Sequence, residues 1–118
     1  MKMKFRFLGL PICLFLMACS NAKSVKNVAL EKPDFHRGMH IYNAFCAECH
    51  EDGKNGAPTL DDVDEWDLRA MQWSSVMKGH VNNGFMDMPS KGGHAELSDQ
   101  NIADALYYME IKIRANEE

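Results

Sequence analysis

The stretch "CAECH", Cys46 to His50, decides the fold. Two cysteines three positions apart with a histidine directly after them admit few uses, and the remaining cysteines narrow those uses further. The chain has four cysteines. Cys13 lies inside an N-terminal apolar run and Cys19 at its end, so only Cys46 and Cys49 are left for the folded part. In an oxidising compartment such a pair can close a disulfide, and C-x-x-C also serves dithiol redox catalysis and zinc binding. A thioredoxin-like protein needs strands alternating with helices around its pair, and this sequence has almost no β-rich alternating run. A tetrahedral zinc site needs a fourth ligand, and His36, His40, His80 and His94 show no second paired spacing.

His50 points to a third use. C-x-x-C-H is the attachment signature of a c-type haem: both thiols form thioethers with the vinyl groups, and the adjacent histidine is delivered to the iron. One helical turn separates the sulfurs so that both reach one edge of the porphyrin, and the next side chain turns over its face. One covalently attached haem, held by Cys46, Cys49 and His50, is therefore expected.

The N-terminal residues have a different job. "MKMKFRF" supplies Lys2, Lys4 and Arg6, and "LGLPICLFLMA" follows as an uncharged run too short to span a membrane comfortably. The run ends in "LMACS", which resembles a bacterial lipobox. Residues 1–18 thus read as a lipoprotein signal peptide, with Cys19 as the lipid attachment site and first residue of the mature chain. Ser20 behind it leans towards the outer membrane if the enteric sorting habit applies, and either membrane of the envelope would leave the protein facing the periplasm. Residues 19–32 are polar without clear period and read as a tether, spanning on the order of 20 Å. Residues 33–118 form the single domain.

The whole chain carries 13 Lys+Arg against 17 Asp+Glu. Loss of the three basic residues of the signal leaves ten against 17, a net charge of −7 for the mature protein. An acidic chain of this kind argues against nucleic acid as a partner.

Hydrophobic spacing predicts an all-α domain. "PDFHRGMHIYNAFC", residues 33–46, reads as a helix capped by Asp34, with a stripe at Phe35, Met39, Tyr42 and Phe45 or Cys46. Gly38 interrupts it at a cost of about 1 kcal/mol relative to alanine, which a close backbone crossing would explain. "LSDQNIADALYYMEIKIRA", residues 97–115, carries the strongest pattern. Ser98 caps it, Asp99 lies at its positive end, Lys112 and Arg114 lie at its negative end, and Ile102, Leu106, Met109 and Ile113 form one stripe. It is expected to cross the first helix near Gly38. Between them, "DDVDEWDLRAMQWSSVMKGHV" supplies one or two shorter helices, with Trp66, Met71, Trp73, Val76 and Met77 as candidate core residues. A domain of about 86 residues is marginal for a core of side chains alone, and a covalent cofactor would complete it.

From about Phe35 to Met109 the sequence resembles a small class I cytochrome c, in particular the short bacterial branch known as cytochrome c-five. The matching stretches are "YNAFCAECH", "GAPTL" followed by Trp66, "MPSKGG" and "LSDQNIADALYYM". The resemblance implies three to five helices wrapped around one haem. It also implies that the carbonyl of Pro58 accepts a hydrogen bond from His50, which would fix the imidazole tautomer. It implies further that the methionine of "MPSKGG", Met88, is the second axial ligand. The residues agree: Pro89 stiffens the approach of Met88, and Gly92 and Gly93 let the chain turn away. Met86, His80 and His94 are the alternatives. In an extended chain Met86 would share a face with Met88 and form a wall of the pocket.

With both axial positions filled, the iron takes no substrate and no catalytic residue is expected. The function implied is single-electron transfer, tethered to a membrane on its periplasmic side, between redox protein partners or within a membrane respiratory complex, the protein itself being a monomer or weak oligomer. The rival is a haem enzyme or sensor whose methionine detaches. Asp61, Asp62, Asp64, Glu65 and Asp67 form an acidic cluster that could steer a basic partner.

Overall fold

A computed structural model describes residues 29–69 and 73–117, and side chains at 73 and 74 are not described. The signal peptide, Cys19, most of the tether and Met71 therefore lie outside the described residues, as does the side chain of Trp73. Among the described residues five α-helices follow one another: α1 (Phe35–Phe45), α2 (Ala47–His50, a single turn), α3 (Val63–Arg69), α4 (Trp73–Asn83) and α5 (Asp99–Asn116). The described residues contain no strand beyond an isolated bridge between Phe85 and Met88. This is the small all-α fold expected from the spacing.

Helix α1 starts where its cap dictates. Asp34 has extended backbone, and its side chain accepts the Arg37 N–H at 2.8 Å. Helix α5 starts on a reciprocal cap: the Ser98 hydroxyl accepts from the Asn101 N–H at 3.1 Å, and the Asn101 amide oxygen accepts from the Ser98 N–H at 3.0 Å. The predicted stripe of Ile102, Leu106, Met109 and Ile113 is buried throughout. From α1, Tyr42 packs into the same core and meets Tyr108 at 5.2 Å between ring centroids.

The two helices cross in backbone contact. A Cβ on Gly38 would lie 2.0 Å from the carbonyl oxygen of Asp104 and 2.9 Å from Cβ of Tyr108. Glycine is required there by the close approach alone.

An unforeseen polar clamp closes the same crossing. Asp104, 1% exposed, accepts from the Asp34 N–H at 2.9 Å, from Arg37 Nε at 2.8 Å and from Gln100 Nε2 at 3.1 Å. Burial pushes its carboxyl up, but those hydrogen bonds outweigh it and the group sits below its ordinary pKa. The neighbouring carboxylates raise that of Arg37, led by its hydrogen bond to Asp104. Gln100 also accepts from the Glu31 N–H at 2.8 Å, so the chain is docked on α5 just before α1 begins.

Both shorter helices form. Trp66 of α3 and Met77 of α4 are buried, as expected of core residues, and Val76 is half-buried.

Candidate cofactor site

Where α1 gives way to α2, the N–H groups of Cys49 and His50 both bond to the carbonyl of Cys46, at 3.2 and 3.0 Å. This one turn sets Cys46, Cys49 and His50 along the wall of an internal cavity. Both cysteines are partly buried and are not joined in a disulfide. Burial, and secondly the neighbouring Cys49, push the Cys46 thiol up to about 11.

His50 is buried, and its Nδ1 lies 2.9 Å from the carbonyl oxygen of Pro58. A carbonyl only accepts, so Nδ1 carries the proton and Nε2 keeps its lone pair for another partner. The Pro58 segment is itself fastened. The Trp66 indole N–H donates to the Thr59 carbonyl at 2.6 Å, and Asn116 Nδ2 donates to the Leu60 carbonyl at 3.1 Å and to Asp61 at 2.8 Å. Sequence reasoning placed Trp66 in the core but gave neither fastening, because both bonds go to backbone carbonyls that no local pattern marks.

The opposite wall comes from the loop after α4. Phe85 and Met88 exchange two backbone hydrogen bonds of 2.9 Å, closing a tight turn with Met86 and Asp87 at its tip. Gly84 has φ +83, and a side chain there would press on the Met88 carbonyl at 2.9 Å. The Ser90 hydroxyl donates to the Asn82 carbonyl at 2.6 Å. Beyond Pro89 the backbone is left-handed at Lys91, Gly92 and Gly93, which turns the chain away as expected.

One expectation about this loop fails. Met86 and Met88 are not successive residues of an extended strand: Met86 has φ +52 and is 79% exposed. The two-residue turn rotates it off the face of Met88, so it borders the cavity at the mouth. Of the alternative ligands, His80 borders the cavity with its ring stacked on Phe85 at 4.0 Å. His94 lies outside it, against Phe45 at 5.0 Å and Glu96 at 3.4 Å.

The cavity has a volume of about 390 Å³, within the range of cofactor sites. Cys46, Cys49, His50, Pro58 and Met88 all border it, and Ile41, Phe45, Trp66, Met77, Val81, Ile102, Leu106 and Met109 supply apolar surface. Among the described residues no group of His, Cys, Asp and Glu is placed to hold a bare metal ion. The donor set fits a flat, largely apolar cofactor: two thiols for covalent attachment, an imidazole with an available Nε2 and a thioether from another segment.

A helical shell around a largely apolar cavity, with the cysteines and imidazole of C-x-x-C-H in its wall, defines a class I c-type cytochrome. Residues 33–109 match the family described as cytochrome c oxidase, cbb3-type, subunit III, and the chain belongs to this cytochrome c family. It is similar to cytochrome c-555 of Prosthecochloris aestuarii, 32% identical over 94 residues, which covers 73% of this chain and 95% of the relative. Cytochrome c-555 of Chlorobaculum tepidum is 38% identical over 81 residues, 64% of this chain and 74% of the relative. That of Chlorobaculum thiosulfatiphilum is 34% identical over 80 residues, 64% and 93% respectively. The protein is accordingly a haem-based electron carrier with a covalently bound c-type haem.

Proposed function

We propose that the protein is a single-electron carrier in which His50 and Met88 close the two axial positions of the iron, and which a lipid on Cys19 tethers to a membrane on the periplasmic side. The observation that carries the ligand assignment is the His50–Pro58 hydrogen bond of 2.9 Å, which commits Nδ1 and leaves Nε2 for the metal. The bound haem supplies reversible one-electron chemistry between ferrous and ferric iron. Cys46 and Cys49 fix its position covalently. Met88 supplies a thioether, a ligand that favours the ferrous state, and Pro58 fixes the orientation of His50.

Replacing Met88 by leucine should abolish the weak near-infrared sulfur-to-iron band of the oxidised protein and leave the haem attached. Met86→Leu should retain the band. The reverse result would move the ligand to Met86, and absence of the band from the wild-type protein would point to His80. A closed carrier should also bind carbon monoxide slowly when reduced. Rapid binding would favour the enzyme or sensor reading.

For the tether, Cys19→Ala should release the protein from membranes into the soluble periplasmic fraction. A second reading, a fixed subunit of a larger membrane complex, is favoured by the description of the matching family. Co-purification with membrane proteins after mild detergent extraction distinguishes it from a free carrier. In the acidic cluster, Glu65 is ion-paired with Arg69, whereas Asp61, Asp62, Asp64 and Asp67 are exposed. Steering of a basic partner therefore rests mainly on these four. Neutralising Asp64 and Asp67 should flatten the salt dependence of electron transfer with that partner.

A further inference from the structure

Among the described residues Met86 is the one methionine that stands in solvent. Met77 and Met109 are buried in the core, and Met39 and Met88 are half-buried. Met86 is 79% exposed at the tip of the Phe85–Met88 turn, on a left-handed backbone that a side chain rarely adopts. Neither the core nor the proposed axial ligation uses its sulfur. The turn thus presents an oxidisable thioether to solvent at the mouth of the cavity.

The neighbour of that sulfur suits the oxidised form better than the reduced one. Arg69, at the end of α3, places Nη1 3.8 Å from the sulfur, while its Nη2 donates to Glu65 at 2.5 Å. A thioether is a weak acceptor, so the contact contributes little as it stands. A sulfoxide oxygen is strongly polar, and a bond to it from a guanidinium is of the charge-assisted kind. Glu65 already holds the guanidinium in place for it. The sulfur has two lone pairs: the Arg69 contact engages one, and exposure leaves the other open to attack. Methionine has three rotatable bonds, which lets the new oxygen swing to Arg69.

We propose that Met86 is a modification site, oxidised to the sulfoxide by a hydroperoxide, and that the sulfoxide oxygen latches onto Arg69 across the mouth of the cavity. The sulfur lone pair attacks one oxygen of hydrogen peroxide, the S–O bond forms as the O–O bond breaks, and the leaving hydroxide takes the proton of the transferred hydroxyl to become water. The sulfur loses two electrons and the peroxide gains them. A thiol-dependent sulfoxide reductase reverses the step. The latch ties α3 to the loop that carries Met88. This rests on Met88, rather than Met86, being the axial ligand.

The test is titration of the full-length oxidised holoprotein with hydrogen peroxide, followed by peptide mass spectrometry. Hydrogen exchange of the Phe85 and Met88 N–H groups is then read by NMR in the ferrous state. Met86 should gain one oxygen atom well before Met39, Met77, Met88 or Met109. In the sulfoxide form, exchange at Phe85 and Met88 should slow about tenfold, as one added charge-assisted hydrogen bond implies. Arg69→Leu should still be oxidised at Met86 but lose the slowing. Oxidation of Met39 or Met88 in step with Met86 overturns the site. Unchanged exchange in the oxidised wild type overturns the latch, whether or not Arg69→Leu folds. Loss of the near-infrared sulfur-to-iron band in step with Met86 oxidation is a different failure: Met86 is then the ligand, and the axial assignment falls together with the proposal resting on it.

Discussion

At Gly38 the smallest side chain would lie 2.0 Å from the carbonyl oxygen of Asp104. Because that atom is backbone, relief requires the two helices to separate, and with them the core between Tyr42 and the stripe of α5. Gly38→Ala is therefore expected to lower the stability of the holoprotein by about 3 kcal/mol. Guanidinium unfolding measures it, and an unchanged midpoint would mean that the crossing is looser than described. This residue was legible, since a glycine inside an apolar helical stripe has few explanations other than a close neighbour. Asp34 and Ser98 were legible for a similar reason, because caps are local chemistry. The conformation of Met86 was not: a left-handed methionine in a two-residue turn contradicts its own preference, and only the Phe85–Met88 bonds impose it.

Between elements, the clamp of Asp104 on Arg37 and the Asp34 N–H joins α5 to the first turn of α1. Nothing in the sequence announces it, since its partners lie 67 and 70 residues apart and follow no period. Asp104→Asn should cost about 2 kcal/mol at pH 7, because the carboxylate accepts from a charged group and is buried. The dependence on pH has a definite sign. The folded pKa is depressed, so the contribution of Asp104 is fully present above the ordinary carboxylate value and is lost as pH falls through the folded one. Urea unfolding at descending pH should show the wild type and Asp104→Asn converging below about pH 4. A gap that stays constant with pH would assign the effect to packing. The site shows the same division between near and far. "CAECH" was readable from spacing, and the family likeness supplied Pro58 and Met88.

For the whole molecule, the cavity of about 390 Å³ sets the relation between cofactor and fold. Without a cofactor the apolar side chains that line it would lack packing partners on one side, and a domain this size has little stability to spare. The chain with both Cys46 and Cys49 replaced by alanine is thus expected to lack cooperative unfolding, as followed by far-UV circular dichroism. A cooperative transition in that variant would show that side chains alone complete the core. The loop from Gly84 to Gly93 bears on a further property. Its backbone is cross-linked at Phe85 and Met88, and Ser90 ties it back to Asn82 at 2.6 Å. A segment so fastened has little freedom to shift when the charge at the centre changes. Dipoles that are already in place need not be rearranged. With Met88 as the ligand proposed above, a loop fastened in this way would keep the reorganisation energy small, and the speed of electron exchange would depend on its rigidity.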